Sequence, residues 1–343
     1  MAARSSPFRP YFDLNGTVSR RRAWSVMLVQ LAIVVAFQVG LAAELPGIKW
    51  GFPILSVAVV AALVVLVQRL HDAGRTGYWA LLAVIPVVGI VATLVILFLP
   101  SASGRKSRRA HPVARSLFGA GLVVIVMLGF ARWFWTPYWI PSESMKSTLL
   151  VGDFVVAALY FGTAPQQGDV MVFRHPVNSK AYVSRLIGLP GDRVQMRDGV
   201  VYLNGLPAKT EPAGQFEEVF AEQGPMGTTP RCGNAPVGVG GICTRERLRE
   251  TLPAGVTHDI LNIDASFVDN TPLYSVPADS YFFLGDNRDN SFDSRFDPAV
   301  GGLGFVPAEN LIGRVDRVIF SSAGRSLAYV WTWRSDRYFR AVQ

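Results

Sequence analysis

Apolar positions are unevenly spread along the chain. Four long runs, Ala23 to Ala43, Gly51 to Gln68, Tyr78 to Leu99 and Leu117 to Trp135, crowd its first part. Each has about the 17–25 residues that cross a bilayer as a helix. The first three carry no charge; the fourth carries Arg132 near its end, where a long side chain can snorkel to the interface. Trp24, Tyr78, Trp79, Trp133, Trp135, Tyr138 and Trp139 lie at run edges, as an interfacial aromatic belt would. Four buried core helices are the alternative account, but so many such runs are hard to bury in one short region. The first run starts late and is long, so it reads as a span rather than a cleavable leader.

After Pro141 the texture changes. Short β-type runs alternate with Gly, Pro, Asn and Asp: Asp153 to Tyr160, Asp169 to Arg174, Ala181 to Gly188, Val200 to Leu203, Tyr281 to Leu284 and Leu311 to Phe320. Asp198-Gly199 is a tight-turn signal before Val200. Residues 210–277 are rich in Gly and Pro and read as an insertion. The predicted architecture is about four transmembrane α-helices followed by a mostly β extracytoplasmic domain. The expected divisions are a multi-span domain over 1–110, an anchor helix over 111–136 and a β domain over 137–343.

Composition sharpens this picture. Half of the residues are hydrophobic and 17 % are charged, which excludes a disordered chain and argues against a wholly soluble enzyme. The net charge of +8 sits largely beside apolar runs, in Arg20-Arg21-Arg22 and from Arg105 to Arg115. That placement suits an anionic membrane surface better than nucleic acid. Arg105, Lys106, Arg108, Arg109 and Arg115 argue for a cytoplasmic loop between the third and fourth runs, which delivers the β domain to the outer side. Four spans then leave the N-terminus outside too, against Arg4, Arg9 and the arginine triplet. Charge alone leaves that conflict open.

Candidate chemistry is sparse. His71, His111, His175 and His258 are scattered and form no ligand pattern, and no metal or cofactor is expected. DNRDNSFD looks faintly like a calcium loop but lacks its glycine and terminal glutamate. Cys232 and Cys243 are too few for a disulfide scaffold or zinc cluster; in an exported domain they are expected to pair. His71, Asp72 and Arg75 at the end of the second run are read as polar residues of an interfacial turn, with a site as the alternative.

Two family resemblances add to this. FDLNGTVSRRRAW and RLHDAGRTGYWALLAVIPVVG resemble a family of small bacterial inner-membrane proteins of unknown function. IPSESMKSTLLVGDFVV is similar to the nucleophile box of bacterial type I signal peptidases, Pro-Ser-x-Ser-Met-x-Pro-Thr-Leu followed by Gly-Asp. GDVMVFRHP, YVSRLIGLPGDRV, LGDNRDNSFDSR and GFVPAENLIGRV match that family's later boxes in order.

The second resemblance implies a serine endopeptidase of the bacterial inner membrane, multi-pass, with residues after about 137 on the periplasmic side. It would remove signal peptides after small residues of the Ala-x-Ala type. Its partners would be signal peptides of exported precursors and the lipid bilayer, with the secretion machinery near the N-terminal spans. Ser144 matches the nucleophile, and the Ser142 hydroxyl and Ser144 N–H match the oxyanion hole. Ile140, Met145, Leu149, Tyr182 and Val183 match the shallow substrate pockets. Ser291 matches the residue that orients the base, and Asp293 and Arg295 match a supporting ion pair.

The chain departs from the family where the base should be. The family's Lys precedes the Arg of Tyr-x-Lys-Arg, and here that position is Ser184. A serine hydroxyl does not titrate near neutrality, whereas a desolvated lysine does. Ser147 stands where the family has Pro. Lys180 shares strand parity with Ser184 but lies about 13 Å along the strand; Lys146 and His175 are the other candidate bases. The alternative function is therefore a non-catalytic homologue that binds peptides or partners. A transporter is a poorer account, since the runs lack buried charge beyond Arg132.

Overall fold

The computed structural model describes residues 14, 16–43, 48, 51–84, 88–102, 119–125, 127–128, 131, 134–159 and 164–342. The chain divides into two compact units, Met1–Phe134 and Trp135–Gln343.

In the N-terminal unit, α1 (Arg20–Ala42) and α2 (Gly51–Asp72) are long and apolar enough to cross a membrane. Leu28, Val29, Leu31, Val35 and Val39 on α1 are more than half exposed, an apolar surface with no protein partner. That surface favours lipid over the buried-core account. α2 runs one turn past Gln68 and ends in a left-handed Gly74. The Arg75 N–H bonds Leu70 O at 2.8 Å and the Gly74 N–H bonds His71 O at 3.0 Å, the paired bonds of a glycine C-terminal cap.

Against the expectation of about four spans, two helices among the described residues are long and apolar enough to cross. The third run is a 3₁₀ helix (Gly77–Val84) followed by α3 (Val88–Phe98) of 11 residues. At ~1.5 Å per residue α3 is too short to span. The chain carries Pro86 between the two helices, and proline removes a helical donor and clashes with the preceding turn. Gly89 packs on Ala83, where a Cβ would lie 2.3 Å from the carbonyl oxygen. Of the fourth run, residues 119–125 are helical. Arg132, Trp133, His111 and the basic loop from Arg105 to Arg115 lie outside the described residues.

The C-terminal unit is built from fifteen strands, all pairings between them antiparallel. They are β1 (Trp135–Trp139), β2 (Asp153–Leu159), β3 (Val170–Arg174), β4 (Ala181–Gly188), β5 (Arg193–Arg197), β6 (Val200–Leu203), β7 (Leu206–Pro207), β8 (Lys209–Val219), β9 (Ile242–Thr251), β10 (Thr257–Asn262), β11 (Tyr274–Ser275), β12 (Ser280–Leu284), β13 (Val306–Pro307), β14 (Leu311–Ser321) and β15 (Arg340–Ala341). The main sheet has the order β1-β2-β14-β3-β4-β12-β13, with β15 added to β14. A smaller sheet runs β11-β5-β6-β7 and a third β10-β9-β8.

β3 shows why the main sheet holds. Val170 and Val172 join one buried cluster with Ile140, Met145, Leu149 and Val155, while Met171 and Phe173 join another with Leu186 and Phe283. Alternate side chains feed opposite faces, so this central strand is apolar at successive positions. The turn between β5 and β6 puts Asp198 and Gly199 at φ 48° and 76°, the two positive values a tight hairpin needs.

One expectation changes. Trp135, Tyr138 and Trp139 belong to β1, which pairs with β2, rather than to the end of a span. The stretch 210–277, read as an insertion, is largely folded. Most of β8, with β9 and β10, makes a three-stranded sheet there, and Cys232 and Cys243 form a disulfide beside it.

Candidate active site

The site begins at the turn after β1. The Ile140 N–H bonds Asp153 O at 2.9 Å, closing residues 141–152 into a loop on the start of β2. At its tip the hydroxyls of Ser142 and Ser144 lie 3.2 Å apart. The Ser144 N–H makes no hydrogen bond among the described residues. Both serines line a cleft of about 610 Å³ whose other wall is Met226, Thr228, Thr229, Pro230 and Arg231.

The loop after β12 holds this turn from behind. The Asn287 N–H donates to Ser144 O at 2.9 Å and its side-chain amide to Glu143 O at 3.2 Å. Gly285 admits the close approach: a Cβ there would lie 2.1 Å from Ser291 Oγ and 2.6 Å from Ser144 O. Ser144 and Ser291 are therefore both packed against Gly285. Asp293 and Arg295 form a fully buried pair at 2.8 Å, and Asp293 also accepts from the Gly285 N–H at 3.1 Å.

Ser184 is buried on β4, opposite Met171, and its hydroxyl donates to Val183 O at 2.8 Å. It makes no bond to Ser144 or Ser291 among the described residues. The next residue, Arg185, grips Asp286 with two bonds of 2.7 Å, and so ties β4 to the loop behind the serine turn. Burial pushes the Asp286 carboxyl up, but Arg185 and the Thr148 hydroxyl outweigh it and hold it below the usual range.

None of the candidate bases reaches Ser144. Lys180 is exposed, just before β4. His175 accepts from the Val177 N–H at 3.1 Å and packs on Tyr182. Lys146 is fully buried and spends its ammonium hydrogens on Glu143, Glu218 and Gln223.

The expected pocket residues divide. Ile140, Met145 and Leu149 are at most 3 % exposed and belong to the core. Val183 packs at the edge of that cluster, and Tyr182 is exposed.

Residues 113–320 match the family described as signal peptidase, peptidase S26. The chain belongs to this signal peptidase family. Residues 11–108 match a second family, a protein of unknown function, DUF805. Signal peptidase I of Rickettsia typhi is 33 % identical over 216 residues, covering 54 % of this chain and 72 % of the relative. Signal peptidase I of Rickettsia prowazekii is 30 % identical over 249 residues, covering 64 % and 84 %. A signal peptidase I structure from Enterococcus faecalis V583 is 25 % identical and covers 44 % of this chain and 97 % of that one, at a TM-score of 0.23, too low to carry an argument about the fold. Family membership supports a signal-peptide-cleaving peptidase and agrees with the apolar helices of a membrane protein.

Within that family frame, sequence reasoning missed what braces the serine turn. Glu143, between the two serines, is 5 % exposed. One carboxylate oxygen accepts from Lys146 and Arg245; the other accepts from the Arg231 N–H at 3.1 Å and from Asn290 at 2.8 Å. Arg245 on β9 also donates to Glu218 on β8 at 2.7 Å. The inserted sheet thus reaches the serine turn through Arg245. Behind it, Glu250 pairs with both terminal nitrogens of Arg288, and His258 Nε2 lies 3.1 Å away. Burial pushes the Glu250 carboxyl up, but Arg288 and His258 together hold it at about 2. The only sequence signal for these contacts was charge within an otherwise unremarkable insertion.

Proposed function

We propose that this protein recognises the cleavage region of signal peptides at the outer surface of the bacterial inner membrane, in a groove of the signal peptidase I type. Ser144 is the nucleophile, the Ser144 N–H and Ser142 hydroxyl are the oxyanion donors, and small side chains precede the target bond. Tyr182 and Val183 flank the extended peptide, while Ile140, Met145 and Leu149 act from the core beneath the serine turn and do not touch the peptide. The chain crosses the membrane more than once, and the outer bilayer surface is where a precursor's cleavage site emerges.

The observation that carries the reading is the pair of hydroxyls 3.2 Å apart in a cleft open to solvent. Attack by Ser144 on a carbonyl carbon requires its proton to leave and the carbonyl oxygen to take negative charge. The second requirement has its donors; the first has none of the expected bases. Oxyanion stabilisation and binding alone sustain about 10³–10⁴-fold acceleration over water. Peptide binding with slow turnover is therefore the expected behaviour.

A non-catalytic role is favoured by one observation, the Ser184 hydroxyl committed to Val183 O. The test is a signal peptide with an Ala-x-Ala end, added to the full-length protein and to Ser144→Ala. Saturable binding to both, with slow cleavage lost in Ser144→Ala, supports the weakened peptidase. Equal binding with no cleavage by either supports the binder, and no binding to either removes both readings.

A further inference from the structure

The RLHDAGRTGYW stretch holds four acidic or basic side chains at the end of α2, and three are occupied. Arg69, fully buried, donates to Asp72 and to Leu99 O. Asp72 accepts from the Ser101 hydroxyl at 2.6 Å. His71 is buried with Nδ1 at 3.4 Å from Gly16 O. These contacts lock the helix end to the chain after α3 and leave no net charge on the Arg69–Asp72 pair.

Arg75 is different. Its backbone is fixed by the helix cap, yet its guanidinium has no hydrogen-bond or ion-pair partner among the described residues. It is exposed, and it lines a pocket of about 270 Å³ with Trp79, Leu82, Val95, Ile96 and Leu99. An unpaired cation beside an apolar pocket is complementary to an amphiphile with an anionic head. Depth argues the same way. α2 has 22 residues and, at ~1.5 Å each, about matches the hydrocarbon thickness. Arg75, just past its end, stands at headgroup level, and Trp79, 56 % exposed, is an interfacial anchor.

The geometry points to an anionic phospholipid as the occupant, its phosphate on Arg75 and the upper part of one acyl chain against Leu82, Val95 and Ile96. This site belongs to the N-terminal unit and is independent of any peptidase activity; it rests only on α2 lying in the bilayer. It gives the polar stretch of that unit a division of labour: three residues build the helix end and the fourth holds a lipid.

The test is native mass spectrometry of the full-length protein in detergent, titrated with phosphatidylglycerol or phosphatidylcholine of identical acyl chains. One basic contact near the surface predicts a preference for phosphatidylglycerol of about fivefold. Arg75→Gln should abolish the preference, and Val95→Trp, which fills the pocket, should lower retention of both lipids. Should Val95→Trp lose its helical circular dichroism, Ala92→Leu fills the same space. Arg197→Gln, on β5 of the other unit, should leave the preference unchanged. An unaltered preference in Arg75→Gln overturns the proposal. So does displacement of phosphatidylglycerol by inorganic phosphate, which would make this a free-anion site.

Discussion

The serine turn and strand β4 both lie in the segment that matches the signal peptidase family, and they differ in what they offer to the proposed chemistry. The turn is over-determined. Glu143 alone receives bonds from Lys146, Arg245, Arg231 and Asn290, and Asn287 holds the backbone on either side of the Ser144 peptide. At β4 the strand is equally well placed, in register with β3 and clamped to the loop through Arg185 and Asp286. Yet the residue that should present a base to Ser144 is a buried serine bonded to its own neighbour's carbonyl. The scaffold that positions the chemistry therefore does not depend on the proton acceptor. Buried ion pairs and a glycine contact maintain the geometry, and the base is a separable part.

That separation can be stressed from the scaffold side. The largest effect is expected from Glu143→Ala, which leaves Lys146 and Arg245 buried with one carboxylate, Glu218, between them. Breaking a buried pair by removing one partner costs about 3–5 kcal/mol. Denaturant unfolding of the full chain should show a loss of that size, together with weaker signal-peptide binding. An unchanged midpoint would mean that the cluster does not brace the turn.

Next comes pH. Glu250 is held at about 2 against an ordinary 4.5, so its folded pKa is depressed. Its stabilising contribution is complete above pH 4.5 and is lost as pH falls toward about 2. The whole shift corresponds to roughly 3 kcal/mol. Unfolding followed from pH 6 down to pH 2 should show this acid limb, and Glu250→Gln should flatten it relative to the parent. A limb of the same steepness in the variant would assign it to other carboxylates such as Asp286.

A smaller effect is expected from the disulfide. Cys232 and Cys243 close a short loop, and cross-links of that length contribute about 2–3 kcal/mol. The loop adjoins Arg231, whose N–H bonds Glu143 and whose guanidinium bonds Asp289 O at 2.7 Å. Reduction should lower the melting temperature modestly and loosen the cleft wall from Met226 to Arg231, raising the Kd for a bound peptide. A reduced protein with unaltered peptide affinity would place that wall outside the binding groove.

Much of the C-terminal unit was legible in the sequence because its signals are local. β-branched runs bounded by Gly and Asp gave β2, β4, β6 and β14, and Asp198-Gly199 gave its hairpin. The serine pair and the loop from Gly285 were legible from motif order. What escaped depends on distant partners. Trp135 to Trp139 has the composition of a membrane edge, and only pairing with β2 makes it a strand. The inserted sheet is polar on its exposed positions, so β8 and β9 lack a clean alternation of apolar residues. Hydropathy treated the third apolar run as continuous because it does not register what Pro86 and Gly89 do to a helix. The contacts of Glu143 span up to 147 residues of sequence, and no spacing rule could reveal them.

The most direct test of the central claim is precursor cleavage by the full-length protein beside its Ser184→Lys variant, under identical conditions and with Ser144→Ala as the blank. A positioned general base contributes about 10²–10⁴-fold. The proposed function predicts a gain of that order in Ser184→Lys, because the hydroxyls of Ser142 and Ser144 lie 3.2 Å apart and Ser144 and Ser291 both pack on Gly285. Equal and rapid cleavage by the parent chain, abolished in Ser144→Ala, would contradict it by showing that another group already takes the Ser144 proton.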